Sequence, residues 1–159
     1  MRISVKVDSA EAMAFVKNLE PNILAAVRIG LVDFMDRVRN RVVRKLSGEV
    51  LRVRTGRLRQ SIHSTVQKMP WGFLGKVGTN VKYASIHEYG GTIVLPVIYP
   101  VKAQALRWFV GGKPVFAMRA KAHAIRMPER SYLRSSLAEL SPKAPEIILA
   151  HVERSLKNA

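Results

Sequence analysis

The sequence contains no cysteine, and its acidic residues are few. Without cysteine the chain can form no disulfide, no thiolate nucleophile and no cysteine-ligated metal site. No apolar run approaches the roughly 20 residues that a membrane-spanning helix needs. The amino terminus alternates polar and apolar residues and lacks the apolar block of a signal peptide. We therefore expect a soluble protein with no membrane partner.

The scarcity of acids is greatest in the middle of the chain. The 159 residues include 27 Lys or Arg and 11 Asp or Glu, which gives a net charge of +16. Between Val50 and Pro128, thirteen basic residues stand against one acid, Glu88. The electrostatic field of so many positive charges attracts polyanions or acidic protein surfaces, and this attraction weakens as the salt concentration rises. A solvated basic surface without a dedicated partner is the alternative.

So few acids leave few carboxylate pairs for acid-base catalysis, and none stands in a recognisable motif. His87-Glu88 matches the start of the zinc-protease motif, but the second histidine, four residues after the first, is missing. Gly111-Gly112-Lys113 lacks the first glycine and the hydroxyl residue of a phosphate-binding loop and instead predicts a hairpin turn. We expect no enzymatic activity, no cofactor, no metal and no small-molecule substrate.

The apolar residues predict one domain over residues 1–159, because the chain is long enough for one core and too short for two. Apolar residues spaced three and four apart predict a long helix from Asn22 to Leu46, and a similar pattern predicts a final helix at the carboxyl terminus. Met1–Val7 reads as a strand, followed by a short helix. The predicted fold class is α+β, with a mostly antiparallel sheet packed against the long helix of the amino-terminal half and a carboxyl-terminal helix.

The central residues predict strands and short helices. The predicted strands are His63–Gln67, Phe73–Val77, Thr92–Tyr99, Ala105–Val110, Pro114–Met118 and Ala120–Met127. Thr55 is a predicted N-cap of a short helix that reaches Ile62. Pro128 is predicted to open a helix that ends near Leu140. Tyr83, Ile86 and Tyr89 fall at helical spacing, which predicts a short helix that buries these side chains and stops at Gly90-Gly91.

Three short blocks occur in a fixed order along the chain. They contain Thr55, Gly56 and Leu58, then Tyr83, His87, Glu88 and Gly90, and finally Pro128, Arg130 and Leu133. With these blocks the chain resembles the neck or tail-completion proteins (minor tail components) of long-tailed phages, the family that includes the lambda Z type. The segment from Val101 to Ile125 departs from the family pattern.

The resemblance implies a structural virion protein at the head-tail junction, joining the head-closure proteins to the tail terminator. Such a protein would form a homo-oligomeric ring and would be found in the host cytoplasm during assembly. Its implied partners are its own copies, the head-closure or connector proteins and the tail terminator, with packaged DNA in the lumen as a candidate contact. The resemblance fits a neck protein and a tail terminator equally well.

Basic and aromatic residues supply the candidate contacts with a partner or with DNA. They are Arg52, Arg54, Arg57, Arg59, Lys82, Trp108, Phe109, Arg119, Lys121 and Arg130. A purely local role is the alternative for these elements: the basic loop, Arg52–Arg59, would only orient the strands, and the hairpin around Gly111 would pack against the domain. The alternative function from another class is a basic nucleic-acid-binding protein, in which aromatic side chains stack on bases, although no signature of a nucleic-acid-binding module is present.

Overall fold

The computed structural model describes residues 21–157. Its helices and strands, in chain order, are α1 (Pro21–Arg44), α2 (Arg57–Gln60), β1 (His63–Met69), β2 (Gly72–Gly78), α3 (Ala84–Tyr89), β3 (Gly91–Leu95), β4 (Leu106–Val110), β5 (Lys113–Ala117), β6 (His123–Met127), α4 (Leu133–Leu140) and α5 (Ala144–Lys157). A π-helical turn, Lys45–Glu49, follows α1, and a 3-10 turn, Ser141–Lys143, joins α4 to α5. The α+β prediction is confirmed. The predicted strand Met1–Val7 and the short helix after it lie outside the described residues.

The long helix α1 is the centre of the core. Its predicted apolar stripe is confirmed, since Phe34, Val38 and Val42 are almost fully buried. The buried apolar cluster comprises Phe34, Met35, Val38, Val42, Leu46, Leu51, Ile62, Val77, Val81, Ala84, Tyr132, Leu133 and Ile147. Burial of each large apolar side chain is worth roughly 1.5–3 kcal/mol, so this cluster is the main source of stability.

The hairpin of β1 and β2 packs on one side of α1. The two strands are antiparallel, with pairs running from His63 opposite Gly78 to Met69 opposite Gly72. Met35 of α1 lies directly against Gly75, where a side chain on β2 would collide with its sulfur. Within residues 21–157 the strands form three separate two-stranded antiparallel ladders (β1 with β2, β3 with β6, and β4 with β5) instead of the one sheet that was predicted.

Helix α5 packs along α1, which makes this pair a helix-helix layer. The contact is close at Gly30, where a Cβ atom would lie 2.9 Å from Cα of Ile148. Nε2 of His151 lies 3.2 Å from Oδ2 of Asp33 at the same interface. The predicted carboxyl-terminal helix is confirmed, and it covers α1 more than it covers the strands. Among residues 21–157, no helix combines the length and apolar character needed to cross a bilayer.

Ion pairs join the end of α1 to α4. Glu139 accepts a hydrogen bond from Nε of Arg41 at 2.7 Å and one from Nζ of Lys45 at 2.6 Å. These two hydrogen bonds lower the pKa of the Glu139 carboxyl to about 2. Lys45 is itself buried and also donates to the hydroxyl of Ser135 at 2.6 Å. The basic side of α1 is therefore used partly inside the molecule.

Residues 91–127 form an antiparallel ribbon, which we call the arm. The β3–β6 ladder continues in the same register through an isolated bridge between Ile98 and Ala120. Residues 99–105 on one side and residues 118–119 on the other separate this bridge from the β4–β5 hairpin, which has Gly111-Gly112 at its tip. No residue of the arm is buried. The hairpin prediction for β4 and β5 is confirmed, but the hairpin does not pack into the core.

Two predicted helix starts are wrong. Helix α2 begins at Arg57 with Gly56 as its N-cap, and Thr55 contributes only a long contact of 3.4 Å from the N–H of Arg57 to its hydroxyl. Helix α4 begins at Leu133, not at Pro128, because the residues just before it are not helical and the N–H of Arg130 donates to the carbonyl of His87 in α3.

Gly30→Ala tests the close approach of α1 and α5. Alanine favours a helix over glycine by roughly 1 kcal/mol, which alone would stabilise the protein. Because the new Cβ would meet the backbone of Ile148 at 2.9 Å, the helices must separate, and we expect a net loss of about 1–3 kcal/mol in urea unfolding. Asn40→Ala, on an exposed position of the same helix, is the control and should be neutral or slightly stabilising. A Gly30→Ala midpoint at or above that of the wild type would contradict the packing.

Candidate functional site

Glu88 lies at 0% exposure and holds the start of α4 from the neighbouring helix α3. Its Oε2 accepts the N–H groups of Tyr132 and Leu133, each at 2.9 Å. Its Oε1 accepts the N–H of Arg134 and the hydroxyl of Ser131, also at 2.9 Å each. The first N–H groups of a helix have no partner within the helix. Glu88 therefore caps α4 from another part of the chain.

Burial and hydrogen bonding oppose each other at this carboxylate. Burial raises the pKa of Glu88, but the N–H groups of Leu133, Arg134 and Tyr132 and the hydroxyl of Ser131 together hold the pKa below its ordinary value of 4.5. A buried carboxylate with several N–H donors is most stable in its charged form. Glu88 is therefore ionised at neutral pH.

The orientation of α3 follows from this cap. Its buried face consists of Ala84 and Glu88, four residues apart, and the carbonyl of Ala84 accepts the hydroxyl of Tyr132 at 3.2 Å. The prediction that the aromatic residues of this helix are buried is wrong, since Tyr83 is 42% and Tyr89 is 48% exposed. Because the carboxylate must face α4, the helix turns its tyrosines outward.

Gly90 lets the second and third sequence blocks lie against each other. It has φ +69°, and a Cβ atom here would lie 2.7 Å from the backbone nitrogen of Glu129 and 3.0 Å from the carbonyl of Met127. The N–H of Arg130 donates to the carbonyl of His87 at 2.9 Å beside it. Only glycine suits both the conformation and the space. The predicted glycine stop is confirmed, and close backbone contact is a second reason for it.

A cleft of about 1060 Å³ opens above these contacts, and we call it the arginine cleft. It is lined by Leu46, Gly48, residues 50–59, Tyr83, His87 and Arg130. All three sequence blocks contribute to its wall. Five of the predicted contact residues meet here: Arg52, Arg54, Arg57, Arg59 and Arg130. Among residues 21–157, no acidic residue lines the cleft.

The cleft arginines differ from the other arginines in their pairing. Arg37, Arg41 and Arg134 each form ion pairs with carboxylates of the fold. Among residues 21–157, no carboxylate lies within ion-pair distance of the five arginines of the cleft. Arg59 makes one long contact, 3.5 Å, to the hydroxyl of Ser47. Within the described part of the chain, the charge of the cleft is not neutralised.

His87 and Tyr83 form one wall of the cleft, with ring centroids 5.9 Å apart in an edge-on arrangement. Nδ1 of His87 is buried and has no hydrogen-bond partner among residues 21–157. Burial, and next the charge of Arg130, lower the pKa of His87, so the ring is neutral at neutral pH. The aliphatic residues of the lining, such as Leu51 and Val53, give the cleft an apolar component between its charges.

The other predicted residues lie elsewhere. Lys82 is exposed just before α3 and does not line the cleft. Four residues lie in the exposed arm, namely Trp108, Phe109, Arg119 and Lys121. Leu133 is in the core, and Pro128 follows β6 at a small depression next to Gly90. The cleft thus unites the basic loop with Arg130, and the hairpin residues form a separate surface.

Sequence reasoning missed Ser131 and Arg134, which hold the Glu88 carboxylate together with the backbone of α4. It also missed the apolar lining of the cleft, such as Val50. One signal was available, because Glu88 is the single acid among the thirteen basic residues of the central segment. An isolated carboxylate in such a segment is a candidate for a buried structural role.

The chain matches the family model described as the phage virion morphogenesis family over residues 35–157. It belongs to the phage virion morphogenesis family. The match includes α3, the arm, α4 and every arginine of the cleft. Membership makes this chain a phage virion assembly protein, associated with the virion. Comparisons with curated proteins and with solved structures gave no match.

Glu88→Gln tests the cap of α4. Glutamine keeps the shape of the side chain but replaces one charged acceptor by a donor, so we expect a loss of about 3 kcal/mol in urea unfolding at neutral pH. Glu129, the half-exposed ion-pair partner of Arg134, provides the control. The substitution Glu129→Gln should change the free energy of unfolding by less than about 1 kcal/mol.

The difference in the free energy of unfolding between wild type and Glu88→Gln should also depend on pH, in a direction that tests the charge of the cap. Because the folded-state pKa of Glu88 lies below 4.5, its stabilisation is complete above that value and is lost as pH falls through the folded pKa. The stability gap between wild type and Glu88→Gln should therefore narrow at acidic pH. A gap that stays constant down to acid unfolding would contradict a charged cap.

Proposed function

We propose that this virion assembly protein is a structural subunit of the head-tail junction, a neck or tail-completion protein of the lambda Z type. Its copies form a ring, and the ring joins the head-closure proteins to the tail terminator. The observation that carries the proposal is the arm, which is built to be covered by another molecule. The resemblance of the three sequence blocks supports the junction as its position.

The arm has no core of its own. Phe109 is 59% exposed and Phe116 is 61% exposed, and Val94, Val101 and Met118 are also exposed. Isolated two-stranded ribbons are marginally stable in water, and contiguous exposed apolar surface marks an interaction site. An adjacent molecule that covers the arm would bury these side chains and supply the missing stabilisation.

The adjacent molecule in this proposal is a second copy of the chain. The arm carries six basic residues and no acid, namely Lys102, Arg107, Lys113, Arg119, Lys121 and Arg126. Helices α1 and α5 offer exposed apolar residues, including Ile29 and Leu149, and exposed acids on α5, Glu146 and Glu153. An arm of one copy on the helices of the next is a head-to-tail contact, which forms a ring when the rotation between successive copies closes, as we propose here.

We also propose that the protein acts by binding and not by catalysis. The Glu88 carboxylate is fully buried and accepts five hydrogen bonds from residues 131–134, so no proton transfer to a substrate is open to it. Within residues 21–157, no group of three or more His, Cys, Asp or Glu residues is arranged to hold a metal ion.

DNA contact is the second candidate function, and the acid-free charge of the arm and the cleft favours it. Arg107 lies 5.0 Å from the ring centre of Phe109, which leaves a cation and an aromatic face together on the exposed hairpin. A protein that uses this surface for DNA would bind it as an isolated monomer, with an affinity that falls steeply with salt.

The proposal is tested with a phage that lacks the gene, complemented in the host by wild type or by Phe109→Ser with Phe116→Ser. Without the gene, electron microscopy should find filled heads and free tails but no joined particles. The double variant should give the same result and should run as a smaller species than wild type in light scattering, because its subunits no longer cover one another's arms. Both substituted side chains are exposed, so the thermal unfolding of the monomer should be nearly unchanged.

The paired control is Lys68→Glu with Lys143→Glu, which changes two exposed residues outside the arm and the cleft and should restore joined particles. Joined virions in the absence of the gene would refute the junction role. Loss of salt-dependent DNA binding without a change in oligomeric state would favour the nucleic-acid candidate.

A further inference from the structure

We propose that the arginine cleft is a binding site for an extended acidic segment of a partner protein, with carboxylates on the arginines and apolar side chains between them. The proposal deepens the head-tail role and rests on it for the source of the segment. It does not rest on that role for the chemistry of the site.

The five arginines of the cleft come from two segments of the chain. Arg52, Arg54 and Arg57 are exposed side chains on one loop and the helix that follows it, and Arg130 reaches the same cleft from the third sequence block. Arginine presents a planar fork of donors that matches a carboxylate in a bidentate manner. No described carboxylate occupies these forks, whereas other arginines of the fold are paired. The cleft is therefore prepared for anionic groups from outside the described chain.

One wall of the cleft, formed by His87 and Arg130, is held in place before any ligand arrives. The carbonyl of His87 accepts the N–H of Arg130, and Glu88, the next residue, fixes the start of α4. A preformed site avoids part of the ordering cost that a flexible loop pays on binding. Arg130 is thus fastened to the same framework as the tyrosine and histidine wall.

The apolar lining decides between protein and nucleic acid. Leu51, Val53 and Leu58 lie among the arginines, together with the edge-on pair of Tyr83 and His87. A sugar-phosphate backbone presents less apolar surface than aliphatic side chains do, and the bases of single-stranded DNA prefer flat aromatic faces on which to stack. An extended peptide places alternate side chains on opposite sides and can present carboxylates and aliphatic groups together.

The size of the cleft agrees with a segment and not with a duplex. Its volume of about 1060 Å³ lies at the upper end of small-molecule pockets, which hold roughly 300–1000 Å³. A short stretch of peptide fills such a space, whereas duplex DNA would need a broad surface with phosphate contacts spread along it. Recognition of acidic motifs by arginine clusters is an established mode of peptide binding.

The experiment uses the purified full chain and a fluorescein-labelled peptide in which glutamate, leucine and serine alternate. Two matched probes replace every glutamate by glutamine or every leucine by serine, and single-stranded and duplex DNA are the nucleic-acid probes. Binding is followed by fluorescence anisotropy at low and physiological salt. We expect the acidic, apolar peptide to bind more tightly than either matched peptide.

The variants locate the binding. Arg54→Glu with Arg57→Glu should lower the affinity for the acidic peptide by about tenfold or more, because two charge-assisted contacts become repulsive. The charge-matched control, Lys68→Glu with Lys143→Glu, lowers the net charge equally outside the cleft and should weaken it by much less. Circular dichroism confirms that both double variants are folded, as expected for exposed positions.

Three results would overturn the proposal. Equal affinity for the glutamine peptide and the acidic peptide would exclude carboxylate recognition. Equal losses of affinity in the two double variants would mean that a diffuse positive field, and not a site, attracts the peptide. Tighter, cleft-dependent binding of either DNA probe would assign the cleft to nucleic acid. These outcomes differ from failure of the head-tail role, because that role fails only if particles join without the gene, whatever the peptide does.

Discussion

The contact between α3 and the start of α4 depends on one buried carboxylate. Glu88 belongs to α3, but its hydrogen-bond partners are the first N–H groups of α4, more than forty residues later in the sequence. The arm leaves the body directly after α3 and returns to it just before α4. The carboxylate thus closes the base of the arm, and Gly90 allows the two ends to lie in contact. Loss of this cap would release the arm and the cleft wall together.

Two surfaces of different chemistry follow from that closure. The arm is an exposed ribbon with aromatic and aliphatic side chains and only positive charge, and we propose that another copy covers it. The arginine cleft is concave, with one wall fixed by the contact between His87 and Arg130, and among residues 21–157 no carboxylate pairs with the guanidinium groups around its apolar lining. In the proposed junction role, the arm would contact the next copy and the cleft would contact a neighbouring protein.

Periodicity predicted the elements whose burial is set locally. The apolar stripe of α1, the hairpin of β1 and β2, and the β4–β5 hairpin were all predicted because their side-chain spacing or turn glycines specify them. The outward tyrosines of α3 were not, because a six-residue helix contains too few turns to define a face. Its orientation is decided by Glu88 and a distant helix, which no local pattern records. For the same reason the start of α4 was placed too early.

Only part of the candidate site could be predicted, again because some of its contacts join segments that are far apart in the sequence. The excess of arginine in the basic loop was visible in the composition, but its meeting with Arg130 depends on a contact between distant segments. The most direct test of the account is a cryo-electron-microscopy reconstruction of the junction in purified virions. The account predicts a ring of this chain between the head-closure proteins and the tail terminator, with each arm lying on the next copy and each cleft filled by a segment of a neighbouring protein. A junction without this chain, or copies whose arms touch no neighbour, would contradict it.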